Sequence, residues 1–244
     1  MEKKHVIIDG HEYEVTLFSD RKGQTGCCYR LQVPEKNLDL AVKLYHQDFC
    51  CDYLDLEDIS RMREFFMDSF PICLSEYPVF DEEKNYIGSA TSYLEETAGS
   101  TDEVIYQLPL EEVYRDLSYL EEKIALVTMK KLVLWDWGVG NLLYGKGQNL
   151  PLGLYAIDDS GYYFDSHVTW EENRQMLSYL INDIIAGYVF RHAHSLKDPI
   201  SETVLSPYLK SEDSFSLLKQ ESRNYSSLQD YLLDKEKIKK RRRF

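Results

Sequence analysis

LWDWGVGN, residues 134 to 141, is the stretch whose reading decides the rest. Asp136 and Asn141 stand five positions apart, and Gly138 and Gly140 loosen the backbone between them. Their neighbours Trp135, Trp137 and Val139 are large and apolar, and polar groups set among such residues serve as caps or do chemistry. A little downstream the run Leu154 to Ile157 reads as a strand and ends in the pair Asp158 and Asp159. Two short loops thus deliver carboxylate and amide groups, the set needed to hold a magnesium–phosphate group beside a hydroxyl nucleophile.

A cation is needed to complete such a site, and Lys43 in LAVKLYH supplies it. It sits between Val42 and Leu44 in an apolar strand, where an ammonium must be satisfied by an anion. The helix that follows offers Glu64, with Glu57 as the alternative partner. Ahead of Lys43 the segment KGQTGCCY carries Gly23 and Gly26 in a strand–loop–strand context. Glycines there let a backbone close over phosphates, although a plain hairpin turn explains two glycines equally well.

Totals bound the alternatives. Of the 244 residues 43% are hydrophobic and 29% charged, enough for one large domain or two small ones sharing a cleft. Formal net charge is −14, although the last ten residues, KEKIKKRRRF, carry seven basic groups and one acidic. The preceding body is therefore more acidic still. That argues against nucleic-acid binding by a broad basic face and favours a cationic substrate or partner. The basic tail, residues 235–244, reads as a solvated end able to contact an anionic surface. Cysteines number five, at 27, 28, 50, 51 and 73, an odd count without C-x-x-C spacing; free thiols in a reducing compartment are expected. No signal peptide is read at the N-terminus, and no run approaches the roughly 20 apolar residues of a membrane helix. A cytoplasmic location is expected, a host cytoplasm if the protein is a secreted effector.

Periodicity divides the chain. Asp9-Gly10 between alternating runs predicts a hairpin over residues 5–17. Strands are predicted at Cys27–Val33, Leu38–Tyr45, Tyr77–Phe80 and Tyr86–Leu94, and one helix from Leu54 to Phe70. After a polar connector at 95–102, helices are predicted at Leu110–Lys131 and Trp170–Phe190, with a hairpin between them and surface helices over 211–239. The result is an α+β chain: a strand-rich unit over 1–94, a mainly helical one over 95–234, then the tail. His192 and His194 have metal-compatible spacing but no third ligand nearby, and read as surface loop.

Taken in order, GQTG, LAVK, a helix bearing an acid, D-x-x-x-x-N and hydrophobic–Asp resemble the signature of the protein-kinase-like fold, from about residue 15 to residue 190. The resemblance implies two lobes, a strand-rich N-lobe and a reduced, mainly helical C-lobe, with ATP and magnesium between them. It implies that Gly23 and Gly26 cover the nucleotide phosphates, and that Lys43 binds the α- and β-phosphates and pairs with Glu64. Thr91 would be the gatekeeper, and the backbone of Ser92, Tyr93 and Leu94 would hydrogen-bond adenine. Asp136 would be the catalytic base. Asn141 and Asp158 would hold magnesium, with Asp159 the alternative ligand because Asp159-Ser160-Gly161 also fits an Asp-x-Gly frame.

The chain departs from that pattern at Leu134, where the family has histidine, and at Gly138, where protein kinases commonly carry lysine. Arg21 replaces the first loop glycine, and only a short segment separates Gly161 from Trp170. The expected function is phosphoryl transfer to a hydroxyl, on a protein. A pseudokinase scaffold and a kinase of aminoglycoside- or choline-like small molecules are the alternatives.

Overall fold

Asp9 and Gly10 both have positive φ, 51° and 76°, which a two-residue turn between twisted strands requires. They join β1 (Lys3–Ile8) to β2 (His11–Leu17). In this computed structural model the described residues are 2–17, 25–46, 55–96, 101–148, 150–192 and 204–241. The segment carrying Gly23, together with Cys50, Cys51 and His194, lies outside them.

Strands β3 (Gly26–Val33) and β4 (Leu38–Tyr45) pair along their whole length, from Gly26 opposite Tyr45 to Val33 opposite Leu38. Pro34 begins the 3-10 turn between them and Asn37, at φ 53°, ends it. After α1 (Leu56–Arg63), capped by the Asp55 carboxylate accepting from the Asp58 N–H, comes α2 (Phe66–Ser69). The single helix expected from Leu54 to Phe70 is therefore broken. Phe65 leaves helical geometry at φ −139° and buries its ring edge-on to Phe164. Then follow β5 (Tyr77–Phe80), β6 (Tyr86–Ser92) and β7 (Leu94–Glu96).

The first six strands close into a barrel in the order β1-β2-β3-β4-β6-β5 rather than forming an open sheet. Ile7 and Ile8 pair with Phe80 and Val79, so the two edges an open sheet would expose satisfy each other. Inside lie Val6, Ile8, Val15, Tyr29, Leu31, Leu40, Val42, Leu44, Val79 and Ala90. Because side chains alternate along a strand, inward Val42 and Leu44 turn Lys43 outward.

The remainder is mostly helix: α3 (Thr101–Gln107), α4 (Leu110–Met129), α5 (Trp170–His192), α6 (Ser206–Leu209), α7 (Ser214–Ser222) and α8 (Leu228–Arg241). The stripe Val113, Leu117, Leu120, Ile124 and Val127 of α4 is fully buried, as are Leu177, Leu180, Ile181, Ile184 and Ile185 of α5. Two small sheets interrupt the helices: β9 (Leu142–Gly147) pairs with β10 (Gly153–Ala156) and with β7, and β8 (Leu132–Val133) pairs with β11 (Tyr163–Phe164). Helix is 44% and strand 30% of the chain, with most strands before residue 97 and most helices after it, a mixed α+β arrangement.

The barrel has its own core and the helices share a second, larger one. Ile59 and Met62 of α1, with Ile72 and Leu74, bury in the larger core although they precede residue 94. A small third cluster, Phe70, Cys73, Leu94 and Tyr155, contains residues from both sides of that position. Among the described residues no helix is long and apolar enough to cross a membrane.

Candidate functional site

Lys43 projects from β4 onto the turn after β10. Its Nζ donates to both carboxylate oxygens of Asp158, at 2.7 and 2.8 Å, and lies 3.1 Å from Ser160 Oγ. Asp158 has φ 69°, and its Oδ1 also accepts from the N–H and hydroxyl of Ser160. Burial pushes the Asp158 carboxyl up, but the Lys43 ammonium and the Ser160 donors outweigh it and hold the carboxyl below the usual carboxylate range. The anion that satisfies Lys43 is therefore Asp158. Glu64 is exposed at the C-terminal cap of α1, and no pair between Lys43 and either Glu64 or Glu57 is formed.

The second acid of the pair faces the other way. Asp159 is buried and accepts from the Ser75 N–H and, at 3.1 Å, from the Ser75 hydroxyl. Ser75 Oγ also lies 2.9 Å from Ser89 Oγ, whose hydroxyl is free to donate to it, and Ser89 Oγ accepts from the Tyr45 hydroxyl at 3.2 Å. Burial, joined by the neighbouring Asp158 charge and opposed by the Ser75 bonds, raises the Asp159 carboxyl to about 6. Of the two adjacent acids, Asp158 faces Lys43 and Asp159 faces this serine network.

The loop 134–141 is braced from three sides. Buried Asn173 of α5 accepts the Leu134 N–H at 2.8 Å and donates to Thr128 Oγ1 and the Leu132 carbonyl, also at 2.8 Å. Asp183, one helix stretch on, accepts the Val139 N–H at 2.7 Å. Trp137 buries its ring and donates to the Tyr162 hydroxyl at 2.6 Å. Asp136 itself is exposed, with φ 55°. Asn141 Nδ2 donates to the Asp136 carbonyl at 2.9 Å and to its Oδ2 at 3.2 Å, and the Asn141 carbonyl accepts the Ile157 N–H at 2.8 Å. That last bond ties the Asp136 loop to the residue before Asp158. A Cβ on Gly138 would lie 3.3 Å from Asp183 Oδ2, so this position is small because the loop is drawn against α5.

Other expected positions are placed differently. Gly26 is the first residue of β3, and a Cβ there would stand 2.4 Å from the Leu44 carbonyl oxygen, so its lack of a side chain permits the close approach of β3 to β4. Gly88, which sequence reading passed over, has the same role at the site itself, where a Cβ would meet the Lys43 carbonyl oxygen at 2.1 Å. Thr91 is half-buried and donates its hydroxyl to the Leu74 carbonyl at 2.8 Å. Ser92 is in register with Leu40, and Leu94 with Gly147. The Tyr93 N–H donates to the Asp39 carbonyl at 3.0 Å. Arg30, bidentate to Asp39 at 2.8 and 2.7 Å, stacks 3.8 Å over the Tyr93 ring and fixes this arrangement.

Asn173, Ser75, Ser160 and Asp183 were not singled out in the sequence. Polar residues within a helix such as α5 give no periodic signal, and their partners lie far away along the chain. Ser160 alone had one, since a small hydroxyl two residues after an aspartate favours a local turn.

Among the described residues no group of three or more His, Cys, Asp or Glu side chains is arranged to hold a metal by itself. Asn141, with its amide nitrogen engaged, retains Oδ1, and Asp158 supplies a carboxylate. Magnesium is commonly held by one or two carboxylates together with substrate phosphates and waters, and a carboxylate and an amide oxygen are ligand types it takes. Compared with protein-family models and with curated proteins, the chain matches none.

Proposed function

We propose that the protein is an atypical kinase of the protein-kinase-like superfamily, two-lobed in plan, that transfers a phosphoryl group from ATP to a hydroxyl on a protein. The observation that carries this reading is the bidentate contact of Lys43 with Asp158, bound through Ile157 to the loop of Asp136 and Asn141. The separate barrel and helical cores support the two lobes, and the free thiols Cys27, Cys28 and Cys73 support a cytoplasmic location.

In this reading Lys43 exchanges part of its contact with Asp158 for the α- and β-phosphates. Asn141 Oδ1 and Asp158 would hold magnesium, which would supply positive charge to offset that of the phosphates. Asp136 accepts the proton of the acceptor hydroxyl as the acceptor oxygen bonds to the γ-phosphorus. The bond between that phosphorus and its bridging oxygen breaks, and ADP leaves with the bridging electrons. Gly138 leaves the transferring phosphate without the lysine that protein kinases commonly place there, so turnover is slow. Incubation with ATP and magnesium followed by intact-mass measurement of enzyme and acceptor tests the reading. A phosphate mass gain lost in Asp136→Ala supports it, and no gain on any acceptor rejects it.

One observation favours a second reading, a nucleotide-binding scaffold without turnover. Tyr93 has its N–H committed to Asp39, and Leu134 and Gly138 lack the family's usual side chains. Nucleotide binding that is unaffected by Asp136→Ala, with no transfer, selects the scaffold.

A further inference from the structure

A groove of about 790 Å³ opens beside Asp136, floored by α5 and walled by the 134–138 loop and the turn after β11. Its walls are largely apolar, with the exposed rings of Trp135, Tyr163 and Tyr179. Its rim carries four carboxylates, Asp136, Asp165, Glu172 and Asp183, and no lysine or arginine lines it. Each carboxylate is held in place by N–H donors: Asn141 for Asp136, His167 for Asp165, Thr169 for Glu172 and Val139 for Asp183. None of the four forms an ion pair among the described residues.

We infer that this groove binds an extended peptide whose hydroxyl residue is flanked by arginine or lysine. Charge complementarity selects the sign: fixed carboxylates attract cations, and exposed aromatic faces add cation–π contact, strongest for guanidinium groups. Spacing selects a peptide over a small amine. Glu172 and Asp183 lie eleven residues apart on α5, near three full turns, so they share one face about 16 Å apart along the axis. One compact amine reaches only one end of that line, whereas about five extended residues at ~3.3 Å each cover it. The identification of the flanked residue as an acceptor rests on the phosphoryl-transfer reading; the cation preference does not.

Three peptides of one length, with a central serine and basic, neutral or acidic flanks, are titrated by calorimetry without nucleotide, alongside choline and an aminoglycoside. The basic peptide is expected to bind about tenfold more tightly than the neutral one, the sum of a few exposed ion pairs, with the margin shrinking at high salt. The double variant Glu172→Gln with Asp165→Asn keeps both local hydrogen-bond acceptors. It should erase most of that margin while leaving the ATP-induced thermal shift at the wild-type value. Equal binding of all three peptides, preference for the acidic one, or tighter binding of either amine overturns the inference. Selective basic-peptide binding, with no phosphate mass gain on that peptide when ATP and magnesium are then added, upholds the groove and sinks the enzymatic reading instead.

Discussion

Lys43 Nζ sits 2.7 Å from Asp158 Oδ1, across 115 residues of chain, and joins the outer face of the barrel to the turn after β10. The pair is partly screened by solvent, with side-chain exposures of 18% and 33%. Asp158→Asn should therefore destabilise by about 1–3 kcal/mol, between the worth of exposed and of buried pairs. Urea denaturation at neutral pH measures it.

Asp158 and Asp159 give opposite pH signatures. Asp158 has a folded value below the ordinary one, so its stabilisation is present above the ordinary carboxylate range and is lost as pH falls through the depressed value. Asp159, raised to about 6, binds its proton more tightly when folded, so its contribution to stability falls as pH rises from about 4 to about 6. Asp159→Asn should remove that decline and gain at most about 3 kcal/mol at neutral pH. Denaturation midpoints across pH 4 to 7.5 read it; a wild-type and variant pair with parallel curves contradicts it.

Gly88 and Gly140 form a matched pair of tests. Gly88→Ala would drive a methyl into the Lys43 carbonyl, which must shift β4 or β6, and should cost at least about 2 kcal/mol together with nucleotide binding. Gly140→Ala meets nothing within 4 Å and should change stability by less than about 1 kcal/mol. Thermal unfolding of the two variants separates them.

Asn173→Ala removes three hydrogen bonds and takes from the buried Leu134 N–H its acceptor and from the Leu132 carbonyl a donor, while Thr128 keeps its bond to the Ile124 carbonyl, a loss of about 2–4 kcal/mol. In the kinase reading it also frees the Asp136 loop, so kcat should fall more than the nucleotide KM rises. Asn173→Asp, which keeps the acceptor for Leu134, should recover part of kcat.

Local signals survived the passage to three dimensions where the cause was local. The Asp9-Gly10 turn and the helices α4 and α5 stand where the sequence puts them, because turn geometry and helical period are properties of short segments. Barrel closure was not legible, since it depends on Ile7 and Ile8 meeting residues some seventy positions away. The helix break at Phe65 follows from where its ring buries, another nonlocal cause. At the site, the need of Lys43 for an anion was readable and its partner was not: helix phase suggested Glu64, while the turn after β10 brings Asp158 closer. The inward placement of Asp159 turns on Ser75, which no spacing connects to it.

Thermal unfolding with ATP and magnesium, run on wild type and Lys43→Met together, tests most directly whether the Lys43–Asp158 pair receives a metal-chelated triphosphate. At a ligand concentration of 100 times Kd, binding adds about 2.7 kcal/mol, which raises Tm by several degrees at about 2–4 °C per kcal/mol for a chain of this size. The account predicts that rise in the wild type and none in Lys43→Met. No shift in the wild type, or an equal shift in both proteins, contradicts it.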